Sequence, residues 1–142
     1  MPGYREVFIN NMQKLTKFEA VEMVKNFIVE KLVQEKWYKD ILPYIKAIVL
    51  YGSTAKGENR ADSDIDVLVF VPLEIEKKYT EGEYVYEYKS REINIVLRSV
   101  EKLEKIAKGE HDLFQAEVFR KSQIIFENGT LIRDLIEIIK KQ

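Results

Sequence analysis

Two aspartates two residues apart, Asp64 and Asp66, open an apolar run that continues to Val71. On an extended chain successive side chains alternate faces, so both carboxylates project from one side while Ile65, Val67, Val69 and Val71 point to the other. At ~3.3 Å per residue they stand roughly 6.6 Å apart along the strand, close enough to ligate one divalent cation or clamp a pair. Acids on a strand are commonly no more than its solvated face. Here two like charges, with Asp62 nearby as a third, open a strand whose other face is strongly apolar. Their repulsion makes sense if a divalent cation neutralises it.

Upstream, Ile48 to Tyr51 reads as a buried strand, followed by the small-residue turn Gly52-Ser53-Thr54-Ala55-Lys56-Gly57. The Gly52-Ser53 pair opens a helical turn whose backbone N–H groups can hold a phosphate. A phosphate cradle beside a cation site is what phosphoryl or nucleotidyl transfer requires. Rival motifs fail on particular residues. Gly52 and Gly57 have Walker A spacing, but Glu58-Asn59 follows where Lys-Ser/Thr is needed. Asp62, Asp64 and Asp66 have calcium-loop spacing, but Val67 stands in place of its glycine and Leu73 in place of its closing glutamate.

Gly52-Ser53, ten residues, then Asp64-Ile65-Asp66 resembles the G-S-x10-D-x-D signature of the DNA polymerase beta nucleotidyltransferase superfamily, in its minimal, antitoxin-like (MNT) form. Ala55, Lys56, Gly57 and Ser63 also match residues common inside that signature. The resemblance covers Ile48 to Leu97 well and the flanks loosely. It implies a polymerase beta-like core and transfer of a nucleoside monophosphate, AMP from ATP, onto a hydroxyl. Asp64 and Asp66 would hold two Mg²⁺ about 3.5–4 Å apart, while Gly52, Ser53 and Lys56 bind the nucleotide's phosphates.

Members of this superfamily place a third carboxylate on a later strand, between apolar flanks. In Ile93-Asn94-Ile95 the flanks fit but the residue is Asn94; Glu92, two positions earlier, shares its face and is the expected third metal ligand and base. The minimal members imply, as acceptor, a tyrosine of a HEPN-type ribonuclease toxin. Asn94 leaves open an alternative, a catalytically weak nucleotide- and metal-binding module that acts by binding a partner protein. A purely structural metal-binding domain is a third reading.

The elements that position these groups fit one domain over residues 1–142, long enough to bury roughly two-thirds of its unfolded surface. With 23 basic and 24 acidic residues the formal net charge is −1, which argues against general attraction to nucleic acid or anionic membrane. There are no cysteines, and the single His111 makes a histidine-rich zinc site implausible. No apolar run approaches a membrane span and no signal-peptide layout opens the chain, so a cytoplasmic address is expected.

Apolar residues from Phe18 to Trp37 recur at helical spacing, predicting an amphipathic helix over about 17–38. Tyr84, Tyr86 and Tyr88 alternate along a strand, with Lys89-Ser90-Arg91 turning back into Glu92 to Leu97. Ser99 reads as the N-cap of a short helix ending before Gly109. A helix over about 112–121 follows, burying Leu113, Phe114, Val118 or their neighbours, then a strand over 123–127. Thr130 is expected to cap a final helix at about 131–140. The fold class expected is α/β, a mixed sheet covered by helices mainly on one face.

Overall fold

The computed structural model describes residues 14–57, 64–79, 83–110 and 113–142, without the side chains of Ser53, Lys56, Glu83 and residues 113–116. Helix α1 (Lys17–Glu30) starts at a reciprocal cap: the Thr16 hydroxyl accepts from the Glu19 N–H, and the Glu19 carboxylate accepts from the Thr16 N–H. It ends at Lys31, short of the single helix expected over 17–38, and passes through a 3-10 turn (Leu32–Gln34) into α2 (Lys36–Ile41). The cause lies in the buried positions. Ala20, Val24 and Phe27 follow helical spacing, but the next buried residues, Leu32 and Tyr38, are five and six positions on. A continuous 3.6-residue helix cannot keep all of them inward, so the chain rewinds.

A second 3-10 turn (Leu42–Tyr44) leads into β1 (Ala47–Tyr51), the short helix α3 (Gly52–Lys56), β2 (Ile65–Val71) and α4 (Leu73–Lys78). Then come β3 (Glu83–Tyr88), β4 (Arg91–Ser99), α5 (Val100–Ala107), α6 (Leu113–Arg120), β5 (Gln123–Glu127) and α7 (Leu131–Lys140). The five strands form one mixed sheet in the order β3-β4-β2-β1-β5, with β2 and β4 parallel and the other neighbours antiparallel. The β3–β4 hairpin closes on Lys89 and Ser90, both at positive φ (50° and 64°), the handedness a two-residue hairpin turn demands.

The α/β class and mixed sheet are those expected, and helices pack on both faces. One face carries Ile48, Leu50, Ile65, Val67, Val69, Ile93 and Ile95 against α1 and α2. The other carries Ala47, Val49, Leu68 and Phe70 against Val100, Leu103, Ile106, Phe119, Ile132, Ile136 and Ile139 of α5, α6 and α7. Alternation explains the second layer: Leu68 and Phe70 share the face of Asp66, so the aspartates' own face becomes apolar further along β2.

Tyr84, Tyr86 and Tyr88 turn to the first face and are packed there. Trp37 stacks on Tyr84 (3.9 Å, 5°) and donates its indole N–H to the Tyr86 hydroxyl at 2.7 Å, while Phe27 meets Tyr86 and Tyr88 at 5.3 and 5.4 Å. Ser99 caps α5 as expected, accepting from the Lys102 N–H at 3.1 Å. Thr130 does not: its hydroxyl bonds the Asp134 carboxylate at 3.1 Å and no backbone N–H of α7. Phe119 is the described buried aromatic of α6; Leu113 and Phe114 have side chains outside the described set. Among the described residues no helix is long and apolar enough to cross a membrane.

Candidate functional site

β1 and β2 run antiparallel with Tyr51 opposite Asp66, so the Gly52 turn leaves β1 directly beside the acidic end of β2. Gly52 sits at φ +75°, a conformation that side chains rarely adopt. A Cβ there would lie 2.5 Å from Asp66 Oδ2. Glycine is therefore required twice over, by conformation and by space. One turn on, buried Thr54 donates its hydroxyl to the Asp64 carbonyl at 3.4 Å, tying α3 to the start of β2. Thr54 escaped the sequence reading because a Thr in a small-residue turn carries no pattern that separates a positioning hydroxyl from a solvated one.

The parallel register of β2 and β4 sets Asp66 opposite Asn94. The Asn94 amide nitrogen donates to Asp64 Oδ2 at 3.3 Å and to Asp66 Oδ1 at 3.4 Å. Both carboxylates thus gather around one nitrogen, on one face. Asp64 is exposed and Asp66 half-buried. Burial pushes the Asp66 carboxyl above the ordinary carboxylate range; the Asn94 hydrogen bond works against this and the Asp64 charge adds to it.

Glu92 precedes Ile93, the partner of Ile65, so the register sets it level with Asp64 on the neighbouring strand and the same face as Asn94. It is exposed and borders a hairpin recess with Val85, Tyr86, Glu87 and Ser90. The group touching both aspartates is thus the Asn94 amide. Among the described residues no three His, Cys, Asp or Glu side chains converge as a metal set. Gly52 is in place, the side chains of Ser53 and Lys56 are not among those described, and Asp62, Ser63 and His111 lie outside the described residues. Lys14 donates to the Gly57 carbonyl at 2.8 Å, anchoring the residues before α1 to the turn after α3.

The donor set is one that divalent cations favour. Hard carboxylate oxygens sit side by side at the edge of an apolar core, held together by a neutral amide whose hydrogen bond outweighs the Asp64 charge at Asp66 but not the cost of burying that carboxylate. The bare backbone of Gly52 against Asp66 leaves room that any side chain would fill. The residues fit a metal-bound phosphate ligand.

Residues 28–132 match the family model described as a nucleotidyltransferase domain. No curated protein sequence matches the chain. Among solved structures, a nucleotidyltransferase-like protein from Exiguobacterium sibiricum is similar over 84% of this chain and 38% of its own, at 12% identity and a TM-score of 0.54. A cytoplasmic RNA terminal U-transferase (16% identity) and the Cid1 poly(U) polymerase (14%) are each similar over 83% of this chain, both with a TM-score of 0.34. The chain spans 38% to 43% of the length of these three structures.

Proposed function

The chain belongs to the nucleotidyltransferase domain family, and from that premise we propose that it moves a nucleoside monophosphate, AMP from ATP, onto a hydroxyl group. Asp64 and Asp66 are the metal-holding pair, and Gly52 and Ser53 receive the phosphates, with Lys56 as an added point charge. The observation that carries this reading is the meeting of both carboxylates around Asn94, next to a glycine that only bare backbone can occupy.

Mg²⁺ bound there supplies Lewis-acid activation of the hydroxyl and neutralises charge on the leaving phosphates. The chain's own contribution is positioning. Thr54 fixes the start of β2, β4 holds Asn94 against both aspartates, and the bare Gly52 backbone leaves room beside Asp66 Oδ2 where phosphate oxygens would sit. We assign Glu92 the third carboxylate's work, as ligand or proton acceptor, on the strength of its register beside Asp64. The resemblance to minimal, antitoxin-like members makes a tyrosine of a HEPN-type toxin the first acceptor to try.

A second reading is favoured by Asn94 itself. An amide in a carboxylate's place weakens metal binding, and the chain would then act as a nucleotide-binding module on a partner protein. Incubation with α-labelled ATP, Mg²⁺ and candidate acceptors separates the two. Label transfer lost in Asp64→Asn and Asp66→Asn supports the enzyme. Partner binding that persists in those variants, with no transfer by the unaltered chain, supports the module.

A further inference from the structure

A cleft of about 580 Å³ opens beside Gly52 and Tyr51, on the same sheet face as Asp66. Its floor is Leu68, one pleat beyond Asp66 on β2, and its far walls are Leu103 and Ile106 of α5 with Val118 and Phe119 of α6. Among the described residues three cations line it, Arg98, Lys102 and Lys105, against one acidic residue, Glu110. Lys102 pairs with Glu76 outside the cleft. Arg98 and Lys105 pair with none of the described acidic side chains.

Arg98 is the informative residue. It stands on β4 on the face of Asn94, four positions on, opposite buried Phe70. Two strand pleats separate them, roughly 13 Å. A half-buried guanidinium over an apolar floor, without a carboxylate partner among the described residues, offers a planar fork of donors. That environment selects an oxyanion, and phosphate matches the fork. Tyr51 and Val118, the partly exposed apolar residues of the lining, then supply surface for an uncharged body attached to it.

We infer that this cleft is a second phosphate-recognising subsite of the same centre, in which Arg98, assisted by Lys105, holds a phosphate group of a substrate whose body lies against Tyr51 and Val118. It deepens the transfer reading and rests on it only for the substrate's identity. Two sources offer this chemistry, the polyphosphate of the donor nucleotide and a phosphate carried by the acceptor.

The probe is inorganic tripolyphosphate, titrated calorimetrically into the full chain in EDTA. The unaltered chain and the Asp64→Asn/Asp66→Asn double variant should both bind it, since the cleft cations do not need the metal pair. Arg98→Ala should weaken binding about tenfold and Lys105→Ala less, with Arg98→Lys recovering part of the loss. Lys25→Ala, on α1 away from the cleft, should change nothing. Displacement by Mg·ATP assigns the phosphate to the donor, and simultaneous binding assigns it to the acceptor; either supports the subsite. Absence of tripolyphosphate binding, or equal binding by Arg98→Ala with its fold intact by circular dichroism, overturns it. Binding that persists where no nucleotidyl transfer is found would sink the transfer reading and leave the cleft standing.

Discussion

Gly52 and Asp66 approach so closely that a Cβ on Gly52 would stand 2.5 Å from Asp66 Oδ2. A methyl group at this point has to displace the carboxylate, and it also forces a left-handed backbone (φ +75°) on a residue that resists it. Gly52→Ala should therefore cost about 1–3 kcal/mol of stability and lower label transfer by at least two orders of magnitude. Urea unfolding and transfer assays measure the two. Wild-type turnover in Gly52→Ala would show that the close approach has no part in the chemistry.

Asn94 bridges the aspartates as a donor, a role that a carboxylate cannot fill without a cation. Asn94→Asp should lower the ion-free melting temperature, because three carboxylates then crowd one point, and should raise Mg²⁺ affinity and transfer. Glu92→Gln should lower transfer. Thermal melts with and without Mg²⁺, beside turnover, read both. If Glu92→Gln leaves turnover untouched while Asn94→Asp raises it, the third ligand belongs to position 94.

How far the sequence reached can be judged at these residues. Alternation predicts a shared face for Asp64 and Asp66, and local spacing predicts the strand–turn–strand around Gly52. The choice between Glu92 and Asn94 was not legible, because both lie on one face of β4 and only the register with β2, a long-range property, sets Asn94 opposite Asp66. The second helical layer was missed for a related reason. The run Val67 to Val71 is apolar at every position, so Leu68 and Phe70 demand cover on the aspartates' own face, as strands buried on both sides do.

Phe27 joins α1 to the tyrosines of β3 and is almost completely buried. Phe27→Ala should cost about 3–5 kcal/mol, through lost burial and the cavity left between α1 and the sheet. Chemical denaturation followed by Trp37 fluorescence reads it directly, since Trp37 stacks in the same aromatic layer. A loss under about 1 kcal/mol would mean that the layer collapses around the gap.

Tyr88 donates its hydroxyl to the Glu30 carboxylate, and that bond pushes its pKa up to about 12 from 10.0. A folded value above the unfolded one means that the associated stability is complete below pH 10 and is lost as pH rises through about 12. Absorbance titration of the eight tyrosines should show a late-ionising component that moves down in Glu30→Gln and disappears in Tyr88→Phe. An unchanged titration curve in Glu30→Gln would remove the carboxylate as the cause.

Asp66 sets function against stability. Burial raises its pKa above 3.8, so the folded chain holds that proton more tightly than the unfolded chain does. The stabilisation linked to this group is complete below 3.8 and is lost as pH rises through the folded value. At neutral pH an ionised, half-buried Asp66 is then a net burden on the fold. Asp66→Asn should melt higher than the unaltered chain at pH 7 without divalent cations, with the difference shrinking as pH falls below the carboxylate range. Added Mg²⁺ should reverse the order, because an ion that binds only the folded chain stabilises it by about 2.7 kcal/mol at a hundredfold excess over its dissociation constant. The variant lacks a ligand and gains less. Melting curves from pH 3 to 8, with Mg²⁺ and with EDTA, decide the matter; an Asp66→Asn chain that is less stable in EDTA at pH 7 would mean that the carboxylate supports the fold it was argued to strain.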